Sequence, residues 1–139
     1  MIYNEMLWGE LLTMEINDKY SIQQLMIGPG KEIHLLYHKK CDTNLIVLSG
    51  YGLIDKPNSF NQMQFETFGV KDNFYLEHNS PYSIINQSSS DNLIILKIIY
   101  CSGNSLNEMA NNGEKFDTYY IEKDSDYPSR IVLADQFLF

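Results

Sequence analysis

Apolar and polar residues alternate along most of the first hundred positions, and short breaks containing glycine, proline or asparagine interrupt the alternation. Trp8–Ile16 (WGELLTMEI) ends at Asn17-Asp18. Tyr20–Ile27 follows, with Tyr20 and Ile22 alternating against Ser21 and Gln23, so the two runs predict a hairpin. Gly28-Pro29-Gly30 is a turn signal. Ile33–His38 is the next predicted strand, with Ile33, Leu35 and Tyr37 on one face and His34, Leu36 and His38 on the other. Lys39–Asn44 reads as a polar loop and Leu45–Leu48 as a short buried strand. Ser49-Gly50 turns the chain, and Tyr51–Ile54 continues it.

Asp55–Met63 is polar, contains Pro57, and predicts a loop. Gln64–Phe68, Phe74–Leu76 and Tyr82–Ile85 read as strands, separated by breaks at Gly69–Asn73 and Glu77–Pro81. Asn86–Asn92 (NQSSSDN) has no apolar residue, and Leu93–Tyr100 (LIILKIIY) is the most apolar run, fit for a central strand. Short strands at regular spacing predict an all-β sandwich or barrel. After Cys101 the pattern changes. Ser105–Asn111 is compatible with one or two helical turns, Gly113–Asp126 is polar, and Ile131–Phe139 is apolar and needs cover from the barrel or a second subunit. With no repeat and no boundary, residues 1–139 read as one domain: a barrel core of about 8–101 and an irregular or helical extension over 102–139.

Composition narrows this picture. At 139 residues and 44% hydrophobic, the chain can bury one core. A net charge of −8 argues against nucleic acid as partner, and Lys39-Lys40 is too short a basic run for an anionic membrane surface. The N-terminus has no basic start before an apolar run, and no stretch is long enough to span a membrane, so the expected location is cytoplasmic. In that compartment Cys41 and Cys101, which form no CxxC pair, are expected as reduced thiols, although spacing does not exclude a bridge. Cys41 is expected in the polar loop, where Lys39 and Lys40 favour its thiolate.

Trp8-Gly9-Glu10, the Pro29-Gly30-Lys31 turn, the Tyr37-His38 strand end and Val47-Leu48-Ser49-Gly50 come in a suggestive order. With Ser102-Gly103 and Phe116-Asp117, they make most of Trp8–Asp117 resemble the C-terminal cupin domain of type II mannose-6-phosphate isomerases. The resemblance implies a double-stranded β-helix, a small jelly roll. It also implies a divalent metal held by a His-x-His pair and a glutamate in a first motif and by a histidine in a second.

Carried over by position, His38 matches the first histidine, Lys40 stands where the second belongs, and Thr43 stands near the glutamate position. In the second motif Tyr82 replaces the histidine, and Asn86 matches the asparagine after it. Glu77 and Asn79 replace that motif's proline and glycine, and Leu36 replaces the glutamine before the first histidine. One ligand of four remains. His34 does not restore the set, because four residues of strand place it roughly 13 Å from His38, whereas metal–ligand bonds are about 2 Å. His78 lies in a turn, and Lys40 would repel a cation. The expectation is therefore no cofactor, with a divalent metal on His38 disfavoured.

The residues left define the candidate chemistry. The expected ligand-binding set is His34, His38, Lys40, Tyr82 and Asn86, and the expected ligand is a small polar molecule, a sugar or sugar phosphate. An alternative is a metal-independent sugar isomerase or epimerase. Proton abstraction beside a carbonyl needs a base, a cation at the developing oxyanion and an acid, and His38, Lys40 and Tyr82 match those roles. Against this, a single strand histidine is more often a hydrogen-bonded core residue, and a lysine after a strand end is usually solvated. A third class is a structural cupin, with Leu93–Tyr100 or Ile131–Phe139 at the interface of a homodimer. Trp8 reads as a packing anchor at the barrel end that can also stack a sugar ring, and Lys31 as an exposed residue.

Overall fold

The computed structural model describes residues 1–101, 118–121 and 131–133. They form twelve strands. The first six are β1 (Ile2–Met6), β2 (Gly9–Ile16), β3 (Tyr20–Ile27), β4 (Glu32–His38), β5 (Cys41–Ser49) and β6 (Gly52–Pro57). The others are β7 (Met63–Phe68), β8 (Asn73–Leu76), β9 (Tyr82–Asn86), β10 (Leu93–Cys101), β11 (Thr118–Ile121) and β12 (Ile131–Leu133). One antiparallel sheet has the order β1-β2-β3-β10-β5-β8 and the other β12-β11-β4-β9-β6-β7. No helix among the described residues is long and apolar enough to cross a membrane.

The predicted hairpin is β2–β3. The Asn17 side-chain oxygen accepts from the backbone N–H groups of Lys19 and Tyr20 and closes its turn. Gly9 sits at φ +148°, and a Cβ there would lie 1.9 Å from the Met26 carbonyl oxygen, so the close strand approach requires the glycine of Trp-Gly-Glu. The LIILKIIY run is central, as its composition predicts. β10 pairs with β3 on one side and β5 on the other.

Four expectations are corrected. Lys39–Asn44 is not a loop: only Lys39 and Lys40 turn the chain, and β5 begins at Cys41. Its inward side chains Cys41, Thr43, Leu45 and Val47 are all buried, while Asp42 and Asn44 face outward and gave the segment its polar look. β6 likewise runs through Asp55 to Pro57, paired with β7 and braced by the Lys56–Glu66 ion pair at 3.3 Å. In β4, Ile33 pairs with Ile84 but Leu36 pairs with Tyr82, so three steps on β4 match two on β9. This bulge turns both Ile33 and Leu36 inward and puts His34 on the opposite side from His38. Lastly, the extension contributes strands: β11 pairs with β4 and β12 with β11. The helical turn expected at Ser105–Asn111 lies outside the described residues.

The cysteines also differ from expectation. Cys41 and Cys101 are directly opposite on β5 and β10 and form a disulfide, with their Cα atoms 4.3 Å apart. Both are buried and pack with Ile99 and Ile16.

Register sorts the interior into rows. Across β3, β10 and β5, Leu25, Ile95 and Val47 form an apolar row, with Ile27 and Leu93 paired beside it. Ile33, Ile84 and Ile54 face them from the other sheet. Two residues along, the row is Gln23, Lys97 and Leu45; two further, it is Ser21, Ile99 and Thr43. The second sheet matches this change with Tyr120, Leu36 and Tyr82, then Thr118 and His38. One half of the barrel is hydrocarbon, and the other carries buried polar groups.

Candidate functional site

A small, partly open cavity of about 30 Å³ runs from the apolar rows, at Leu25 and Ile33, to the polar ones, at Gln23, Tyr82, Lys97 and Thr118. His38 is buried behind Tyr82 and Thr118, which line that cavity. Its Nε2 lies 3.4 Å from the Tyr82 hydroxyl and its Nδ1 3.4 Å from the Thr118 hydroxyl. Burial pushes the Tyr82 hydroxyl well above its ordinary pKa, and Tyr120 adds to the effect.

Lys97 enters from β10, with its ammonium nitrogen 5.6 Å from the centre of the Tyr82 ring. No ion pair meets it among the described residues. Burial alone pulls its pKa down to about 7, because an ammonium without a counter-ion is costly in a dry interior. Two more buried polar atoms, the hydroxyls of Ser21 and Thr43, have no hydrogen-bond partner.

A second hollow of about 210 Å³ opens at the barrel mouth, lined by Leu7, Trp8, Gly30, Lys31, Glu32, His34 and Tyr120. Trp8 and Tyr120 also line the inner cavity, so these two rings stand between the hollows. The Gly28 N–H donates to the Trp8 carbonyl at 2.8 Å and holds that corner in place. Trp8 is thus a packing anchor whose outer edge lines a cleft of small-ligand size.

The sequence-derived site residues divide three ways. His38 and Tyr82 meet in the interior. His34 lines the outer cleft, and Lys40 stands in the exposed turn between β4 and β5. Asn86 is committed to the backbone: its side-chain nitrogen donates to the carbonyls of Ile27, Gly28 and Asp91, and its oxygen accepts from the Ser88 N–H. It clasps two loops together rather than facing a ligand.

Lys97, Gln23, Thr118 and Tyr120 were not anticipated. Lys97 did leave a signal, since it is the one charged residue in LIILKIIY and has the same parity as the buried Ile95 and Ile99. The donors around His38 do not fit a divalent cation. Two hydroxyls occupy the ring nitrogens, and no three His, Cys, Asp or Glu side chains come together among the described residues.

No family model and no curated protein matches this sequence. Solved structures do. An uncharacterised conserved protein with a double-stranded β-helix domain from Klebsiella pneumoniae aligns over 72% of this chain and 80% of its own, at 13% identity and a TM-score of 0.59. The fold is a double-stranded β-helix. KdgF from a Halomonas species matches with a TM-score of 0.63 and 8% identity over 73% of this chain and 88% of that one. CapF from Staphylococcus aureus, a capsular polysaccharide assembling protein, gives 0.64 and 14% over 87% of this chain but 34% of its own. At such identities the likeness is one of fold, and it agrees with the architecture that the cupin resemblance implies.

Proposed function

We propose that this double-stranded β-helix binds a small polar ligand, a sugar or sugar phosphate, at the mouth of its barrel, without relying on a metal. One observation carries the reading. A cleft walled by Trp8, Lys31 and His34 shares Trp8 and Tyr120 with an inner cavity lined by Lys97, whose amine has no ion pair among the described residues, and two buried hydroxyls without partners, those of Ser21 and Thr43, lie deeper in the barrel. Buried polar groups are normally satisfied, so such a set suits a ligand that completes it. Trp8 offers an aromatic wall to a sugar ring, and Lys31 offers charge to a phosphate. The CapF name concerns polysaccharide assembly, and a sugar-linked role here is in keeping with the resemblance to sugar-phosphate isomerases.

A panel of monosaccharides and their phosphates, read by thermal shift and calorimetry, tests the proposal. Binding should raise the melting temperature and should weaken in Lys31→Ala and His34→Ala. No shift with any member at millimolar concentration refutes it.

The contact between His38 and Tyr82 favours one further reading, a metal-independent isomerase or epimerase. His38 would act as base and Tyr82 as acid, with Lys97, rather than Lys40, supplying the cation beside them. Solvent deuterium entering a keto-sugar in the presence of the protein, and not with Tyr82→Phe, would support it. Equal exchange by the two proteins would rule it out.

A further inference from the structure

We propose that Lys97 is a nucleophilic amine that captures the carbonyl group of a small aldehyde or ketone as a Schiff base inside the barrel. Its position carries the argument. Lys97 lies mid-strand in β10, with Gln23 and Leu45 beside it in register and Tyr82 facing it from the opposite sheet. It lines a cavity rather than filling the core solidly. The polar groups lining the cavity with it are Gln23, Tyr82, Thr118 and Tyr120, with His38 behind Tyr82 and Thr118, and none is a carboxylate. A lysine kept for an ion pair would have an acid opposite, and this one has none among the described residues.

Burial brings its pKa to about 7. At neutral pH it therefore presents roughly 10³-fold more neutral amine than a solvated lysine. The inner cavity suits a single functional group, whereas the cleft beyond Trp8 and Tyr120 has room for the remainder of a molecule.

The step needs no oxidant or reductant. The nitrogen lone pair forms a bond to the carbonyl carbon, and the carbonyl π pair moves to oxygen, which takes a proton. The carbinolamine then loses that oxygen as water together with the N–H proton, leaving an imine. The hydroxyls of Tyr82 and Thr118 and the Gln23 amide line the space where the departing oxygen would be held. The inference deepens the proposed function, since it requires the barrel to admit a ligand from the cleft.

The test treats the full chain at pH 7 with glycolaldehyde and sodium cyanoborohydride, followed by intact mass measurement and peptide mapping. Lys97 should label at least tenfold ahead of any other lysine, and the preference should fall as the pH rises towards about 10, where exposed lysines also lose their protons. Lys97→Arg and Lys97→Met should lose this adduct and keep only slow surface labelling. Labelling spread over the exposed lysines with Lys97 no faster overturns the proposal, and this outcome needs no variant to fold. Labelling at Lys97 while the sugar panel gives no thermal shift would sustain the inference and sink the sugar reading. Thermal shifts without an adduct at Lys97 would do the reverse.

Discussion

The two halves of the barrel interior are built by the same strands and differ in what those strands bury. Towards one end Ile27, Leu93, Ile95, Val47 and Ile84 close-pack and satisfy one another. Towards the other, two residues along each strand, Gln23, Lys97, Tyr82 and Thr118 line the inner end of a cavity, His38 lies behind Tyr82 and Thr118, and Ser21 and Thr43 keep hydroxyls without partners. The hydrocarbon end supplies the stability that lets the polar end remain unsatisfied. Each polar group left without a partner costs free energy, and a chain that keeps several of them on adjacent rows is organised around more than folding.

The sharpest test moves the charge one row. Ile95→Lys places an ammonium among Leu25, Val47 and Ile84, in a row with no polar side chain, and should cost more than about 5 kcal/mol. Denaturant melts should show loss of cooperative folding, and a folded, stable variant would mean that the two halves do not differ.

The converse change, Lys97→Met, should stabilise the chain by about 2–4 kcal/mol at pH 7, with about 5 as the ceiling set by the lowered pKa. The sign follows from linkage. The folded amine titrates near 7, below its unfolded value, so the unfolded state holds more protons between pH 7 and about 10.5. Wild-type stability should rise across that window, and the advantage of Lys97→Met should shrink to near zero at its upper end. A pH-independent difference between the two proteins would contradict the buried, unpaired amine.

The disulfide lies at the polar end, packed with Ile99 and Ile16. Cys41 and Cys101 are 60 positions apart, so replacing both with serine should cost about 2–4 kcal/mol in urea melts. A reductant should lower the wild type to the same level and leave the variant unchanged. The smallest expected effect is at Thr43. Thr43→Val removes an unpartnered hydroxyl at nearly constant volume and should be neutral or stabilising by about 1 kcal/mol. If the same variant binds ligand less tightly, the hydroxyl belongs to the site.

Much of the strand pattern is legible in the sequence, because alternation and glycine turns are local signals. β2, β3, β9 and β10 fall close to where the pattern puts them. The start of β5 is not legible: Cys-Asp-Thr-Asn has the composition of a loop, and only its cross-strand register with β10 reveals inward Cys41 and Thr43. The bulge in β4 is equally silent, since one extra residue leaves no compositional mark, and it separates His34 from His38. The candidate site was half legible. His38 and Tyr82 follow from motif position, but the cation beside them comes from β10, in a run whose apolar character masks its lysine. Thr118 and Tyr120 come from a stretch with no clear strand signal, because β11 is defined by the partner it pairs with.

That last pairing has a consequence for how the protein is made. Thr118 meets His38 across 80 positions of chain. At about 5–20 residues per second on the ribosome, several seconds separate the emergence of the two. A nascent chain that has reached Cys101 already holds all of β1 to β10, yet the wall formed by Thr118 and Tyr120 is missing from its polar end. The chamber is therefore finished last, after the framework around it has had time to set.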